Sequence, residues 1–263
     1  MKALALFFVI FSVFQAQAAI KTETVQYFDG KTVLEGYLAY DDTIKDPRPT
    51  VMIVHQWKGL GDYEKSRAQQ IAAKGYVAFA IDIYGKGVRA TSTDEAGKLS
   101  SIYKNNRPLY RQREKAALDF ISKDKRVDTK HIVAIGYCFG GAGVLEMGRA
   151  GFPLVGIVTF HGDLSNPTPT DAKNIKGKVL VLHGAIDPYV DRKQVDGFLD
   201  EMNATKVDYV FTEYSGAVHA FTDKGSGNDI KAGVAYNENA DRRSWQAFTD
   251  FLNEVAPVIK EVM

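Results

Sequence analysis

The stretch His131-Ile132-Val133-Ala134-Ile135-Gly136-Tyr137-Cys138-Phe139-Gly140-Gly141 organises the chain. Residues 132–135 form an apolar, β-branched run of strand type. Gly136-Tyr137-Cys138-Phe139-Gly140 follows, and the small and apolar residues after it are compatible with a helix. The pattern predicts strand, sharp turn and helix in immediate succession. Glycines two before and two after Cys138 let the backbone turn tightly enough to present one side chain above the sheet. That side chain is a thiol, and it belongs to the only cysteine of the sequence.

The segments around this turn alternate between strand and helix. Residues 25–28 and 32–40 are alternating, β-prone runs joined through Asp29-Gly30, which predicts an antiparallel hairpin. Val51-Met52-Ile53-Val54 is wholly apolar, the pattern of a strand buried between two layers of helices. It ends in the loop His55-Gln56-Trp57-Lys58-Gly59-Leu60-Gly61. A helix is expected over 63–74, closed by Gly75, then a strand over 77–83 that runs into Tyr84-Gly85-Lys86-Gly87. The polar segment 89–106, with a short helix at 94–103, is a candidate flap, and 107–122 reads as a clearer helix. Further strands are expected at 154–160, ending at His161-Gly162-Asp163, and at 179–182, ending at His183-Gly184-Ala185-Ile186-Asp187. A helix over 190–202, a last strand over 207–214, a loop carrying His219 and a closing helix over 244–255 complete the chain.

Apolar strands alternating with helices predict an α/β fold, a mainly parallel doubly wound sheet with an N-terminal antiparallel hairpin. No internal repeat, low-complexity tract or linker divides residues 19–263, so one domain is expected. Apolar residues make up 45% and charged residues 25% of the 263 positions, which suits a large core under a solvated surface. Residues 1–18 have the pattern of a cleaved signal peptide: Lys2, an apolar run, then Ala16-Gln17-Ala18. The run is shorter than the ~20 residues of a membrane span, so a periplasmic or secreted protein without a membrane span is expected. Loss of Lys2, the one charged residue in that segment, takes the formal charge from +1 to zero. A neutral chain gives no electrostatic case for a nucleic acid partner. Structural cysteines in an oxidising compartment normally come in pairs, so the single Cys138 is either buried and inert or reactive.

Doubly wound sheets place their sites outside the carboxyl ends of the strands. Cys138, Asp187 and His219 each follow a different strand on that side, in the order nucleophile, acid, histidine used by the α/β-hydrolase fold. Cys138 would attack a carbonyl carbon, His219 would hold and later deliver the proton, and Asp187 would orient the imidazole. A helix N-terminus at the thiol favours thiolate. The backbone N–H groups of Phe139 and Trp57 would receive the oxyanion. Asp163 and Asp191 are alternative acids, although Asp191 stands where a helix begins and suits a dipole-favoured terminal charge. His55, His161 and His183 also fall at strand ends, but without the spacing of a metal motif, so no metal or cofactor is expected. His161 suits a role behind the reacting groups. Trp57, Tyr103 and Tyr110 suit either a pocket wall or the core.

Together these marks resemble the dienelactone hydrolase family. The Gly-x-Cys-x-Gly-Gly turn, Asp82-Ile83-Tyr84-Gly85, Phe160-His161-Gly162, His183-Gly184-x-x-Asp187 and Val218-His219-x-Phe221 follow the family's landmarks in order. The resemblance implies an α/β-hydrolase fold, a Cys138-His219-Asp187 triad, and hydrolysis of a small-molecule ester or lactone through an acyl-thiol intermediate. Two departures from the family pattern stand out, one at Gln56 and one at Lys86 and Asp223. Gln56 stands where the family typically has a glutamate that helps govern the thiol's proton, which implies that Cys138 and His219 rest more nearly as an ion pair. Two arginines that grip a substrate carboxylate in dienelactone-specific members fall at Lys86 and Asp223, which makes dienelactone itself a poor substrate. Two other readings share the sequence: a binding or accessory protein that keeps the fold without turnover, and a thioesterase or acyltransferase using the same intermediate.

Overall fold

The computed structural model describes residues 20–258; the signal peptide expected at 1–18 lies outside the described residues. Eight strands form one sheet in the order β1-β2-β4-β3-β5-β6-β7-β8. The strands are β1 (Ile20–Asp29), β2 (Thr32–Asp41), β3 (Arg48–Val54), β4 (Val77–Ile81), β5 (Val127–Tyr137), β6 (Gly156–Phe160), β7 (Lys178–Gly184) and β8 (Tyr209–Tyr214). β1 and β2 are the expected antiparallel hairpin, with Asp29 opposite Thr32 across the turn, and β2 joins β4 antiparallel. From β4 to β8 every pairing is parallel. The helices are α1 (Asp62–Ala72), α2 (Thr93–Lys104), α3 (Arg107–Ile121), α4 (Phe139–Arg149), α5 (Arg192–Thr205) and α6 (Glu238–Val255).

The apolar run of β3 is buried on both sides because side chains alternate across the pleat. Met52 and Val54 pack with Leu118, Val144, Leu145 and Phe198 from α3, α4 and α5. Val51 and Ile53 pack on the opposite face with Ala68, Ile71, Phe248 and Leu252 from α1 and α6. The chain leaves β3 for β4 on one side and returns as β5 on the other, so the strand order reverses at β3. A crevice at such a reversal lies outside the carboxyl ends of the two strands. Here it brings the loop after β3 beside the turn after β5, with Val54 opposite Gly136.

Several elements are longer than their hydrophobic patterns. β3 starts at Arg48 because the buried guanidinium donates to the carbonyls of Asp41, at 2.7 Å, and Ile44, at 3.2 Å. α6 starts at Glu238 rather than 244, capped by Asn237, whose side chain accepts from Ala240 N at 3.1 Å. α4 also carries two buried charges. Arg149 makes a bidentate pair with Glu201 of α5, at 2.7 and 2.8 Å, and reaches Glu146 at 3.1 Å. Glu146 in turn accepts from Arg111 of α3 at 2.8 Å. Breaking such a buried network by removing one partner costs roughly 3–5 kcal/mol, so it pins α4 to both neighbours.

Candidate active site

Cys138 sits between β5 and α4 with φ 55° and ψ −114°, one of four described non-glycine residues with positive φ. Holding such a residue there costs on the order of 1–3 kcal/mol, and the surrounding bonds over-determine it. Its N–H donates to Phe160 O at 3.1 Å, and its carbonyl accepts from Gly141 N at 3.0 Å. The flanking glycines are required by close approach. A Cβ at Gly140 would lie 2.2 Å from Val54 O, and one at Gly136 would lie 2.0 Å from Gly140 O. The thiol therefore stands at the N-terminus of α4, above the crevice between β3 and β5.

β7 and the loop after β8 supply the next two groups. His219 Nδ1 lies 2.7 Å from Asp187 Oδ2, and Asp187 Oδ1 accepts from Tyr189 N at 2.8 Å. Both residues are buried, and Gly184 makes their meeting possible, because a Cβ there would lie 2.7 Å from the carbonyls of Ala217 and Val218. The competing acids are engaged elsewhere. Asp191 caps α5 by accepting from Gln194 N at 2.8 Å, and Asp163 pairs with Lys104. Burial alone lowers the proton affinity of His219, but the Cys138 charge and the hydrogen bonds to Asp187 and Cys138 outweigh it and push the imidazole up to about 10.

The loop after β3 is held from three sides. His55 is fully buried, accepts from Ile83 N at Nε2 (3.2 Å) and contacts Gln56 O through Nδ1 (2.6 Å). That pairing places its proton on Nδ1, and burial lowers it to about 4. Tyr84 Oη donates to Trp57 O at 2.8 Å, and Glu64 accepts from Gln56 N at 3.0 Å and Gly61 N at 2.8 Å. Among the described residues, the N–H groups of Trp57 and Phe139 donate to no protein acceptor. The Gln56 amide donates to Asp223 Oδ2 at 3.2 Å, so two of the three positions that depart from the family pattern touch each other. Lys86 lies 3.6 Å from Glu35 Oε2.

The segment 89–106 contains α2, and its end packs beneath the turn that carries Cys138. Tyr103 stacks on Tyr84 at 5.4 Å and meets the Phe139 ring edge-on at 6.4 Å. Tyr110 stacks on Phe139 at 4.8 Å and donates to Phe139 O at 3.2 Å. Tyr103 and Tyr110 are thus core residues beneath the turn, whereas Trp57 is half-buried at its edge. His131 pairs with Asp128 at 2.6 Å, near the other end of β5. A separate groove of about 660 Å³ between β1 and α3 shares no residue with this site.

The dienelactone hydrolase family model matches residues 34–256. The chain belongs to the dienelactone hydrolase family. It is an ester or lactone hydrolase with an α/β-hydrolase fold. A protein named as a carboxymethylenebutenolidase in Saccharolobus solfataricus is 27% identical over 257 residues, covering 83% of this chain and 94% of its own. A solved structure named m3DLH superposes with a TM-score of 0.87 at 36% identity, over 90% of this chain and 99% of the other. A dienelactone-hydrolase-like promiscuous phosphotriesterase from metagenomic libraries superposes with a TM-score of 0.86 at 37% identity, over the same shares. Within this family member, sequence reasoning reached Cys138, Asp187, His219 and the Trp57 loop. It missed Thr222, Tyr63 and Arg67, which lie behind His219 and carry no motif. It also missed the buried Glu146 and Arg149, although two charges inside the apolar segment after Cys138 were a visible signal.

Proposed function

We propose that Cys138, His219 and Asp187 act as a triad that hydrolyses carboxylic esters or lactones through an acyl-thiol intermediate. The observation that carries this reading is the 2.7 Å bond from His219 to Asp187 beside a thiol held at a strained turn. The Cys138 thiolate attacks the carbonyl carbon, and the N–H groups of Trp57 and Phe139 receive the oxygen's developing charge. His219 gives its proton to the leaving alkoxide as the carbonyl reforms, leaving the acyl group on sulfur. It then takes a proton from water, whose oxygen attacks the thioester and releases the acid. The cycle ends with the thiolate and the imidazolium restored. Turnover of short aryl esters, with the acyl group found on Cys138 by mass spectrometry, tests the reading. Thioesters and an aryl phosphotriester belong in the same panel, the latter because a 37% identical relative is named a phosphotriesterase.

Gln56 cannot take a proton, and its amide is engaged with Asp223. The Cys138 thiol is therefore expected to rest as thiolate beside imidazolium. Thiolate absorbance at neutral pH, measured against Cys138→Ala, is expected in the wild type and lost in His219→Ala; its absence from the wild type overturns this. Because the folded His219 value is raised above about 6.5 to about 10, its stabilising contribution is complete below pH 6.5 and is lost as pH rises through about 10. On alkyl esters, whose leaving group needs the proton, kcat/KM is expected to fall over that same alkaline limb.

Asp223 faces Gln56 beside the Trp57 loop, and Lys86 is engaged with Glu35. A carboxylate on the substrate thus meets a like charge and no free cation among these groups. A lactone bearing a carboxylate is expected to have a kcat/KM about tenfold below that of its methyl ester, or ~1.4 kcal/mol. Asp223→Arg is expected to remove the difference. Efficient turnover of dienelactone with a low KM by the wild type would sink the idea.

A further inference from the structure

Behind His219 lies a run of hydrogen bonds whose direction is set by chemistry. Arg67 of α1 is held by Asp241 of α6, at 2.6 Å, and donates through Nη2 to Thr222 O at 3.0 Å. Its Nε lies 3.2 Å from Tyr63 Oη. A guanidinium only donates, so the Tyr63 oxygen accepts. Burial holds the Tyr63 phenol well above its usual range, so it keeps its hydrogen. Its short oxygen contact is Thr222 Oγ1, at 2.6 Å. Thr222 Oγ1 then accepts from Tyr63, and its own hydrogen points to His161 Nε2 at 2.8 Å. In this order the Tyr63 and Thr222 hydrogens each have an acceptor, and the hydrogen left without one is that on His161 Nδ1.

His161 ends this run. It is fully buried at the end of β6, with φ 42°, and its ring stands edge-on to His219 at 5.3 Å and to Phe221 at 5.1 Å. Its backbone N–H donates to Leu182 O at 2.8 Å, and its Nδ1 has no hydrogen-bond partner among the described residues. We propose that His161 is a positioning residue: a neutral imidazole, locked as its Nδ1–H tautomer by the one-way chain from Arg67, that holds the His219 ring in place. The inference rests on the triad reading above. A second imidazolium beside His219 would oppose the charge that His219 must carry when it protonates the leaving group. The charged or titratable groups around His161 are His219 and His183 from the β7 and β8 side, Arg67 from α1 and Tyr137 from β5. Apart from the chain through Thr222, none is hydrogen-bonded to its ring. Burial, with the His219 charge behind it, lowers the proton affinity of His161 well below the ordinary histidine range, in keeping with that geometry.

Nitrogen-15 spectra of histidine-labelled protein test the lock directly. His161 is expected to show an unprotonated Nε2 and a protonated Nδ1, unchanged between about pH 5 and 8. Thr222→Val removes the last donor while keeping the side-chain shape. It is expected to mix the two His161 tautomers and lower kcat about tenfold with KM unchanged, and Thr222→Ser is expected to restore both. A His161 that titrates in that range, carries its proton on Nε2, or keeps tautomer and kcat in a folded Thr222→Val variant overturns the proposal. The spectra need no turnover, so a wild type with no esterase activity but the expected nitrogen pattern counts against the triad and not against the lock.

Discussion

Replacing Cys138 by alanine is expected to lower kcat/KM on aryl esters by at least about three orders of magnitude, because the proposed acyl intermediate forms on its sulfur. The protein should remain folded. Cys138 is 3.1 Å from Phe160 O through its backbone N–H, a bond that alanine keeps. Alanine also keeps the strain at φ 55° and ψ −114°, since the Cβ is retained. Glycine at 138 would remove the nucleophile and the strain together. Cys138→Gly is therefore expected to be as inactive as Cys138→Ala but more stable than it by about 1 kcal/mol, or roughly 2 °C in Tm for a chain of this size. Steady-state kinetics and calorimetry on both variants separate the two effects. Retention of a tenth of wild-type activity by either variant, or equal melting temperatures, would remove the respective argument.

The largest expected effect on stability comes from Gly140→Ala. The added methyl would stand 2.2 Å from Val54 O and 2.7 Å from His55 O, both backbone atoms at the end of the central strand. Neither can move without displacing β3 or the loop that carries Trp57. A loss of about 3 kcal/mol or more is expected, with activity lost alongside because the turn and the Trp57 loop share those atoms. Gly97→Ala is the matched control. It lies inside α2, where a Cβ meets nothing within 4 Å, and it should raise stability by up to ~1 kcal/mol through helix propensity. Denaturant unfolding measures both. A Gly140→Ala variant as stable as the wild type would show that the approach of α4 to β3 is looser than described.

The elements that carry strong local patterns were legible in the sequence, and so was the order in which they deliver their loops. Val51-Met52-Ile53-Val54 reads as a strand covered on both faces and the Asp29-Gly30 turn as the close of a hairpin, and both are observed. The sequence favoured Asp187 and read Asp191 as the charge at a helix start, the position it takes as the cap of α5. What engages Asp163, its ion pair with Lys104, was not legible and needed the packed structure. The same holds for Tyr103 and Tyr110. Their spacing suited pocket or core equally, and the ring of Phe139 decided for core.

By itself, the sequence determined the strand-turn-helix around Cys138, the alternation of buried strands with helices, and the presence of an acid and a histidine after later strands. These are short-range properties: pleat and helix periodicity, glycine where a Cβ does not fit, and turn chemistry between neighbours. Only the tertiary structure decided which polar atoms meet. Gln56 touches Asp223 across 167 positions, and Tyr63 touches Thr222 across 159. Such pairs depend on strand order and register, which bring distant loops to one edge of the sheet, and no local pattern in the chain records which atom of one loop will face which atom of another.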